Sequence, residues 1–201
     1  MQTITYEVRE GLYLNITNRC PCSCTFCIRN NANGVYGSDP LWLEHEPSFE
    51  EICAALDQRD LSSYREIVFC GYGEPTERLS VLRKTAAYIK RKKNIRIRIN
   101  TNGLSDLING ERTAPLLSGL IDAVSVSLNY PDAKTYVRVV RPKFGEASFQ
   151  AMLDFTKDCT AYVPDVRMSV VDVVTTKDEQ IRAAKICESL GAKLRIRDYE
   201  G

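Results

Sequence analysis

Residues 11–28 read Gly11-Leu-Tyr-Leu-Asn-Ile-Thr-Asn-Arg-Cys-Pro-Cys-Ser-Cys-Thr-Phe-Cys-Ile28. The first seven form a short apolar run of strand length, and a loop crowded with cysteines follows directly. Five further apolar runs begin near Arg65, Ile95, Leu120, Asp165 and Lys193, and a helical pattern follows each of the first five runs. Strand, helix and parallel strand in succession define βαβ units. Six such strands fit 201 residues, whereas a closed barrel of eight normally needs about 250. The expected fold is therefore α/β, an open, partial (β/α)6 TIM-like barrel. It should form a single domain over residues 1–201 with no separate auxiliary domain, since no Pro/Gly/Ser-rich linker interrupts the chain.

Local signals place the helices. Ser48-Phe-Glu-Glu51, just after Pro47, is a capping box. A second helix runs from about Glu77 into Lys90-Arg-Lys-Lys93, basic residues that suit a helix C-terminus better than a nucleic-acid patch. Later helices cover about Ala147–Cys159 and Lys177–Leu190, the latter stopped by Gly191. Pro115 should shorten or break the connection Leu104–Gly119.

Composition is that of a globular domain, 44% hydrophobic and 26% charged. A net charge of +1 sets up no global field toward nucleic acid or membrane. No run approaches the roughly 18 apolar residues of a membrane span. The N-terminal decapeptide lacks an apolar leader, so a cytoplasmic location and reduced thiols are expected. Cys53, Cys159 and Cys187 fall on predicted helices and read as small core residues.

Cys20, Cys24 and Cys27, spaced by three residues and then two, can offer three thiolates to one inorganic group. A [4Fe–4S] cube takes four ligands, so three cysteines leave one iron open for chemistry. Structural zinc is the alternative, but it needs four ligands, usually from two knuckles. No second Cys-x2-Cys exists, and the single histidine, His45, is not in ligand spacing. Cys22 is read as a bystander thiol, because a four-cysteine cage within so short a loop is sterically awkward.

The ends of the other strands carry polar turns, at the face where barrel enzymes assemble their sites. Strand two runs into Gly71-Tyr-Gly-Glu-Pro-Thr76, strand three into Asn100-Thr-Asn-Gly103, and strand four ends at Asn129. Each alone is an ordinary turn. Their order behind the cysteine loop is what carries information.

In that order the motifs resemble the radical S-adenosylmethionine (radical SAM) superfamily, whose hallmark is Cys-x3-Cys-x2-Cys with an aromatic residue, here Phe26, before the last cysteine. The resemblance implies that Cys20, Cys24 and Cys27 are the catalytic, metal-binding residues of a [4Fe–4S] cluster and that SAM chelates the fourth iron. Gly73 and Glu74 are similar to part of the family's Gly-Gly-Glu turn, which contacts the SAM amino group; Tyr72 replaces the first glycine of that pair. Asn102, Ser127 and Asn129 match positions that contact the SAM ribose or carboxylate. No glycine motif for adenine is found in Met168–Val174, which leaves apolar packing near Val173. The implied activity is reductive cleavage of SAM to methionine and a 5′-deoxyadenosyl radical, which abstracts hydrogen from a substrate. A low-potential donor of the flavodoxin or ferredoxin type is implied as partner. Asn15–Asn30 with Gly34-Val-Tyr-Gly37 looks like a compact group associated with TatD-family nucleases. The alternatives are a deazapurine-synthase-like enzyme, against which the short first cysteine gap argues, and a non-catalytic cluster- or SAM-binding regulatory module.

Strand alternation gives one more expectation. If Ser125, Ser127 and Asn129 face inward, the same parity turns Tyr13, Asn15 and Thr17 inward on strand one, Arg96, Arg98 and Asn100 on strand three, and Arg195 and Arg197 on strand six. Leu194 and Ile196 should then pack on helices. A polar lumen with arginines favours an anionic substrate. Arg98 and Arg197, nearer the C-terminal face, are its expected ligands, while Arg96 and Arg195 read equally as substrate ligands or as plugs of the barrel bottom in ion pairs with Glu or Asp. Residues 31–47, rich in turn formers and carrying Tyr36, Trp42 and His45, should form the substrate-side wall.

Overall fold

The computed structural model describes residues 2–30 and 37–198; the expectations that fall on Asn33, Gly34 and Tyr36 lie outside them. Seven strands form one sheet in chain order: β1 Thr5–Val8, β2 Gly11–Leu14, β3 Glu66–Phe69, β4 Arg96–Thr101, β5 Ala123–Ser127, β6 Asp165–Val171 and β7 Lys193–Arg197. The β1–β2 pair is antiparallel and every later pair is parallel. β1 and β7 are the two edges, so the barrel stays open between them. All six expected strands are present. β1 is additional: Tyr6 and Val8 alternate with Glu7 over only four residues, too few to stand out before β2 pairs with them.

The helices are α1 Phe49–Asp57, α2 Leu79–Lys92, α3 Ser105–Asn109, α4 Ala133–Val140, α5 Ala147–Tyr162 and α6 Lys177–Leu190. Ser48 and Glu51 form the expected capping box of α1, with the Ser48 amide donating to the Glu51 carboxylate at 2.7 Å. Pro115 sits in a separate 3-10 turn, Ala114–Leu117, so the third connection is broken as expected. Gly191 ends α6 at φ +75°, a left-handed conformation that costs glycine little. The sequence reading lacks α4, which is only eight residues long and is capped by Asp132 through the Thr135 amide at 2.8 Å.

Outward-facing strand residues pack beneath the helices in one apolar core. Leu12, Leu14, Ile97, Ile99, Val124, Val126 and Leu128 are all buried against helix residues such as Leu82, Ile89, Phe155 and Cys159. Cys187 joins that core, but Cys53 is only half-buried, on the solvent-facing side of α1. Ile196 is a second departure, 46% exposed, because β7 is an edge strand and the helices cover only part of it. The inward residues are polar, as the alternation requires: Asn100, Ser125, Ser127, Ser169 and Arg195 line the lumen.

At the N-terminal end of β6, Asp165 meets Arg96 at 2.5 Å, Arg167 at 2.8 Å and Lys193 at 3.8 Å. Burial raises its carboxyl, but Arg167 and Arg96 together outweigh that and hold it below the ordinary value. A depressed folded-state pKa contributes stability that is present above the unfolded value of about 3.9 and is lost as pH falls through the folded value. Asp165→Asn should therefore cost roughly 1.5–3 kcal/mol at neutral pH, typical for hydrogen bonds to a charged group. In denaturant titrations the difference from the parent should shrink below about pH 3.9. A cost that persists unchanged at acid pH would assign it to packing instead.

Candidate active site

The cysteine loop leaves β2 and closes over the C-terminal mouth of the sheet. Backbone bonds clamp it to the end of α4: Ser23 N–H to Val140 O at 3.1 Å, Thr25 N–H to Val139 O at 3.0 Å, and Lys143 N–H to Pro21 O at 2.7 Å. The unanticipated α4 is thus the scaffold that holds the loop. From the other side, the Glu74 amide donates to Arg19 O at 2.7 Å. All eight cysteines are free thiols.

Cys22 is buried between two of the expected ligands, and its thiol hydrogen-bonds with Cys20 and Cys24. Those bonds draw Cys20 and Cys24 below the ordinary thiol range, while burial pushes Cys27 above it. Asn102 Nδ2 points at the same sulfurs, 3.6 Å from Cys22 Sγ and 3.9 Å from Cys20 Sγ. Among the described residues no three His, Cys, Asp or Glu side chains converge tightly enough to hold one metal ion. Zinc ligands must all reach a common point at about 2.0–2.3 Å, whereas a cube carries each thiolate on a different iron and spreads them further.

The Gly71–Glu74 turn runs directly beneath the loop. A Cβ on Gly73 would sit 2.3 Å from Thr17 O and 2.7 Å from Arg19 O, both backbone, so no side chain fits there. Tyr72, in place of a glycine, lines the cavity under the cysteine loop and meets Trp42 edge-on at 5.1 Å between ring centroids. The Glu74 carboxylate is buried and takes three hydrogen bonds on Oε1 and one on Oε2. It accepts from Thr76 N–H at 3.1 Å, Thr76 Oγ1 at 2.8 Å, Thr101 Oγ1 at 2.8 Å and Asn102 N–H at 2.7 Å. Its carboxylate therefore locks the β3 turn to the β4 turn, and the residue also lines the smaller cavity. Burial still holds the carboxyl above its ordinary value despite these bonds.

A cavity of about 350 Å³ opens under the cysteine loop, and the three cysteines share it with Asn102, Ser127 and Asn129. A smaller one of about 200 Å³ continues into the lumen past Gly73, Glu74 and Ser169. Asn129 holds φ +61°, a region asparagine tolerates better than most residues, and its amide donates to Ser169 O at 3.1 Å.

Several expectations need correction. Val173 is 74% exposed and lines neither cavity; Val171 lines the larger one instead. The chain turns at the end of β6 into a 3-10 turn, Asp172–Val174, which carries Val173 outward. Arg98 points inward but is not free. Glu66 holds it at 2.7 and 3.2 Å, Tyr13 Oη lies at 3.3 Å, and Asn100 Oδ1 completes the set. A guanidinium satisfied by an acid on the adjacent strand is a poor anion ligand. Arg96 is paired, but Arg195 has no ion pair among the described residues and lines both cavities. Arg197 also points inward, and its Nε is buried with no hydrogen-bond partner.

The wall segment does more than line the cavity. Leu41 is at its edge, held by Asn15 Nδ2 at 2.7 Å, while Leu43 is buried and Glu46 ties Thr17 and Arg19 together. His45 sits at the surface on Glu51, 3.0 Å away, outside the cavity. Two lumen residues were missed: Ser169, in register with Ser127 and Arg195, and Cys70, at the end of β3. Applying the strand parity to β6 finds Ser169; a search for a glycine motif there does not.

The radical SAM superfamily model matches residues 14–184, most of the chain, including the cysteine loop, the Gly71–Glu74 turn, Asn102, Ser127 and Asn129. The chain belongs to the radical SAM superfamily. Members of that superfamily are enzymes that bind a [4Fe–4S] cluster and SAM and need a reductant. Solved structures share the fold. SuiB of Streptococcus suis, bound to S-adenosylmethionine, is 16% identical with a TM-score of 0.65, over 93% of this chain and 38% of its own. A radical SAM methyltransferase from Sphaerobacter thermophilus gives 14% and 0.64, over 98% and 69%. The anSMEcpe structure with bound AdoMet gives 15% and 0.61, over 93% and 50%. This radical SAM chain thus spans well under half of SuiB and half of anSMEcpe. No curated protein matches it. The residues present fit both groups: three cysteines line a cavity that also holds the polar side chains of Asn102, Ser127 and Asn129. Among the described residues no helix is long and apolar enough to cross a membrane.

Proposed function

We propose that this radical SAM chain binds one [4Fe–4S] cluster through Cys20, Cys24 and Cys27, cleaves SAM reductively, and abstracts hydrogen from an anionic substrate. The observation that supports it is the meeting, in one cavity, of those cysteines with Asn102, Ser127 and Asn129, with Gly73 lining the smaller cavity alongside. When bound, the two groups supply a primary carbon radical, the 5′-deoxyadenosyl radical, which takes a hydrogen atom from carbon.

The chain's own residues bind, orient and exclude water. Gly73 lets its backbone approach the methionine end of SAM, and Glu74 fixes that backbone from behind. Ser127 and Asn129 present hydroxyl and amide groups to ribose and carboxylate. Asn102 directs Nδ2 toward the cysteine sulfurs, where it orients the loop. Val171 supplies the apolar surface for adenine. Of the two arginines expected on the substrate, Arg197 remains, since it is inward and unpaired among the described residues; Arg98 is spoken for.

The proposal takes residues 1–201 as one catalytic core in the cytoplasm, served by a flavodoxin- or ferredoxin-type donor. On the likeness of Asn15–Asn30, it also takes the chain as a member of the TatD-associated group with a functional link to a TatD-family nuclease. Anaerobic reconstitution with iron and sulfide, followed by dithionite and SAM, tests the chemistry. A brown protein that yields 5′-deoxyadenosine and methionine is the expected result. A colourless protein holding one zinc would overturn the reading.

A further inference from the structure

Three arginines stand along the open side of the barrel: Arg9 in the turn between β1 and β2, and Arg195 and Arg197 on edge strand β7. All three line the cavity under the cysteine loop. Arg9 and Arg195 also line a cavity of about 380 Å³ at the opposite, N-terminal end of the lumen. Cations therefore run from one mouth of the barrel to the other. Arg195 and Arg197 share a strand face, with Cα atoms about 6.6 Å apart at the usual strand rise of about 3.3 Å per residue.

None of the three has a hydrogen bond or ion pair among the described residues, although carboxylates are near. Glu66 is taken by Arg98 and Arg96, and Glu10 by Arg65. Asp198 lies at the rim of the upper cavity without pairing. The Arg197 Nε is fully buried and unpartnered. Arg9 and Arg195 are exposed and Arg197 is half-buried, but a buried donor such as the Arg197 Nε left without an acceptor opposes folding. Arg9 adds a second, independent oddity, because it holds φ +54° in a tight hairpin turn where glycine or asparagine would sit without strain. Its side chain nonetheless reaches both cavities. Unpaired guanidinium groups at successive levels suit a ligand with several negative groups, since each matches a phosphate or carboxylate in bidentate geometry.

We propose that the open seam between β1 and β7 is a polyanion site: the substrate carries at least two phosphate or carboxylate groups on an extended chain, one on Arg197 beside the reacting end and the others on Arg195 and Arg9 toward the N-terminal mouth. This deepens the reading of Arg197 as a substrate ligand and rests on it. A substrate with a single carboxylate would leave two of the three cations unanswered.

Calorimetric titration with tripolyphosphate, and separately with citrate, tests the site on the chain as purified and after cluster reconstitution with saturating SAM. One saturable site per chain is expected, and the tighter of the two probes tells phosphate from carboxylate. Arg9→Ala, Arg195→Ala and Arg197→Ala should each weaken it about tenfold or more, the usual scale for a charge-assisted contact. Arg112→Ala, on the surface and paired with Asp158, should not. Arg197→Met should melt at or above the parent temperature, since it removes an unpaired charge; a structural arginine would lower it.

The proposal fails if neither probe saturates, or if binding survives both Arg195→Ala and Arg197→Ala. An unaffected Arg9→Ala overturns the extension to the N-terminal mouth. Loss of SAM binding in Arg197→Ala with tripolyphosphate binding intact would give Arg197 to the SAM carboxylate and overturn it too. Calorimetry needs no turnover. Probe binding in a chain that forms no 5′-deoxyadenosine would leave the arginine site standing while the radical reading falls.

Discussion

Cys24→Ala is expected to strip the reconstituted protein of most of its iron and its visible absorbance, whereas Cys22→Ala should keep iron near the parent level. The contrast is demanding because the two residues are neighbours in one loop and their thiols touch. Cys20, Cys24 and Cys27 have the spacing of the superfamily, and removing one leaves a cube with two protein ligands. Cys22 is the buried member, wedged between Cys20 and Cys24 with Asn102 Nδ2 at 3.6 Å from its sulfur. Its place between the two is that of a packed thiol, and the spacing of the superfamily leaves it outside the ligand set. Total iron and the ultraviolet–visible spectrum after anaerobic desalting give the readout. Equal loss in both variants would make Cys22 a ligand, and the three-cysteine assignment would be wrong.

The parts of this fold that were legible in the sequence are those with a local cause. The capping box at Ser48, the stop at Gly191 and the break at Pro115 each fall where backbone chemistry puts them. Strand parity correctly turned Ser127, Asn100 and Arg195 into the lumen, because alternation is fixed by the pleat. What failed depended on tertiary partners. β1 exists because β2 pairs with it, and α4 is too short to announce itself. Arg98 was placed on the right face but assigned to a substrate, since nothing in Ile95–Ile99 reveals that Glu66, on the neighbouring strand, will neutralise it. Ile196 was turned toward helices that stop short of the edge strand. Even Glu74, found by motif, carries a geometry the motif does not state.

That geometry predicts the other large effect. Glu74→Ala should destabilise the protein by roughly 3–5 kcal/mol, the range for breaking a buried charged network, and abolish SAM binding. Four donors converge on this carboxylate from two turns, and two of them are backbone amides, Thr76 and Asn102. Alanine leaves the two backbone amides without an acceptor while the threonine hydroxyls can turn elsewhere, and each unpaired buried group costs about 1–3 kcal/mol. The loss is a large share of the roughly 5–15 kcal/mol that holds a domain together. For a chain of this length it corresponds to a fall in melting temperature of roughly 6–20 °C. Glu74→Gln separates the two roles a glutamate can have here. The threonine hydroxyls can rotate to accept from the new amide, but the Thr76 and Asn102 amides cannot, so one of them loses its acceptor if the amide nitrogen faces it. A positioning role therefore predicts that Glu74→Gln lowers both melting temperature and SAM affinity, in smaller measure than alanine. Direct contact between carboxylate and SAM predicts a parent-like melting temperature with SAM affinity lost. Thermal denaturation of the purified variants, with SAM titration after reconstitution, decides between them. A Glu74→Gln protein that matches the parent in both would show that the link between the β3 and β4 turns does not govern the site.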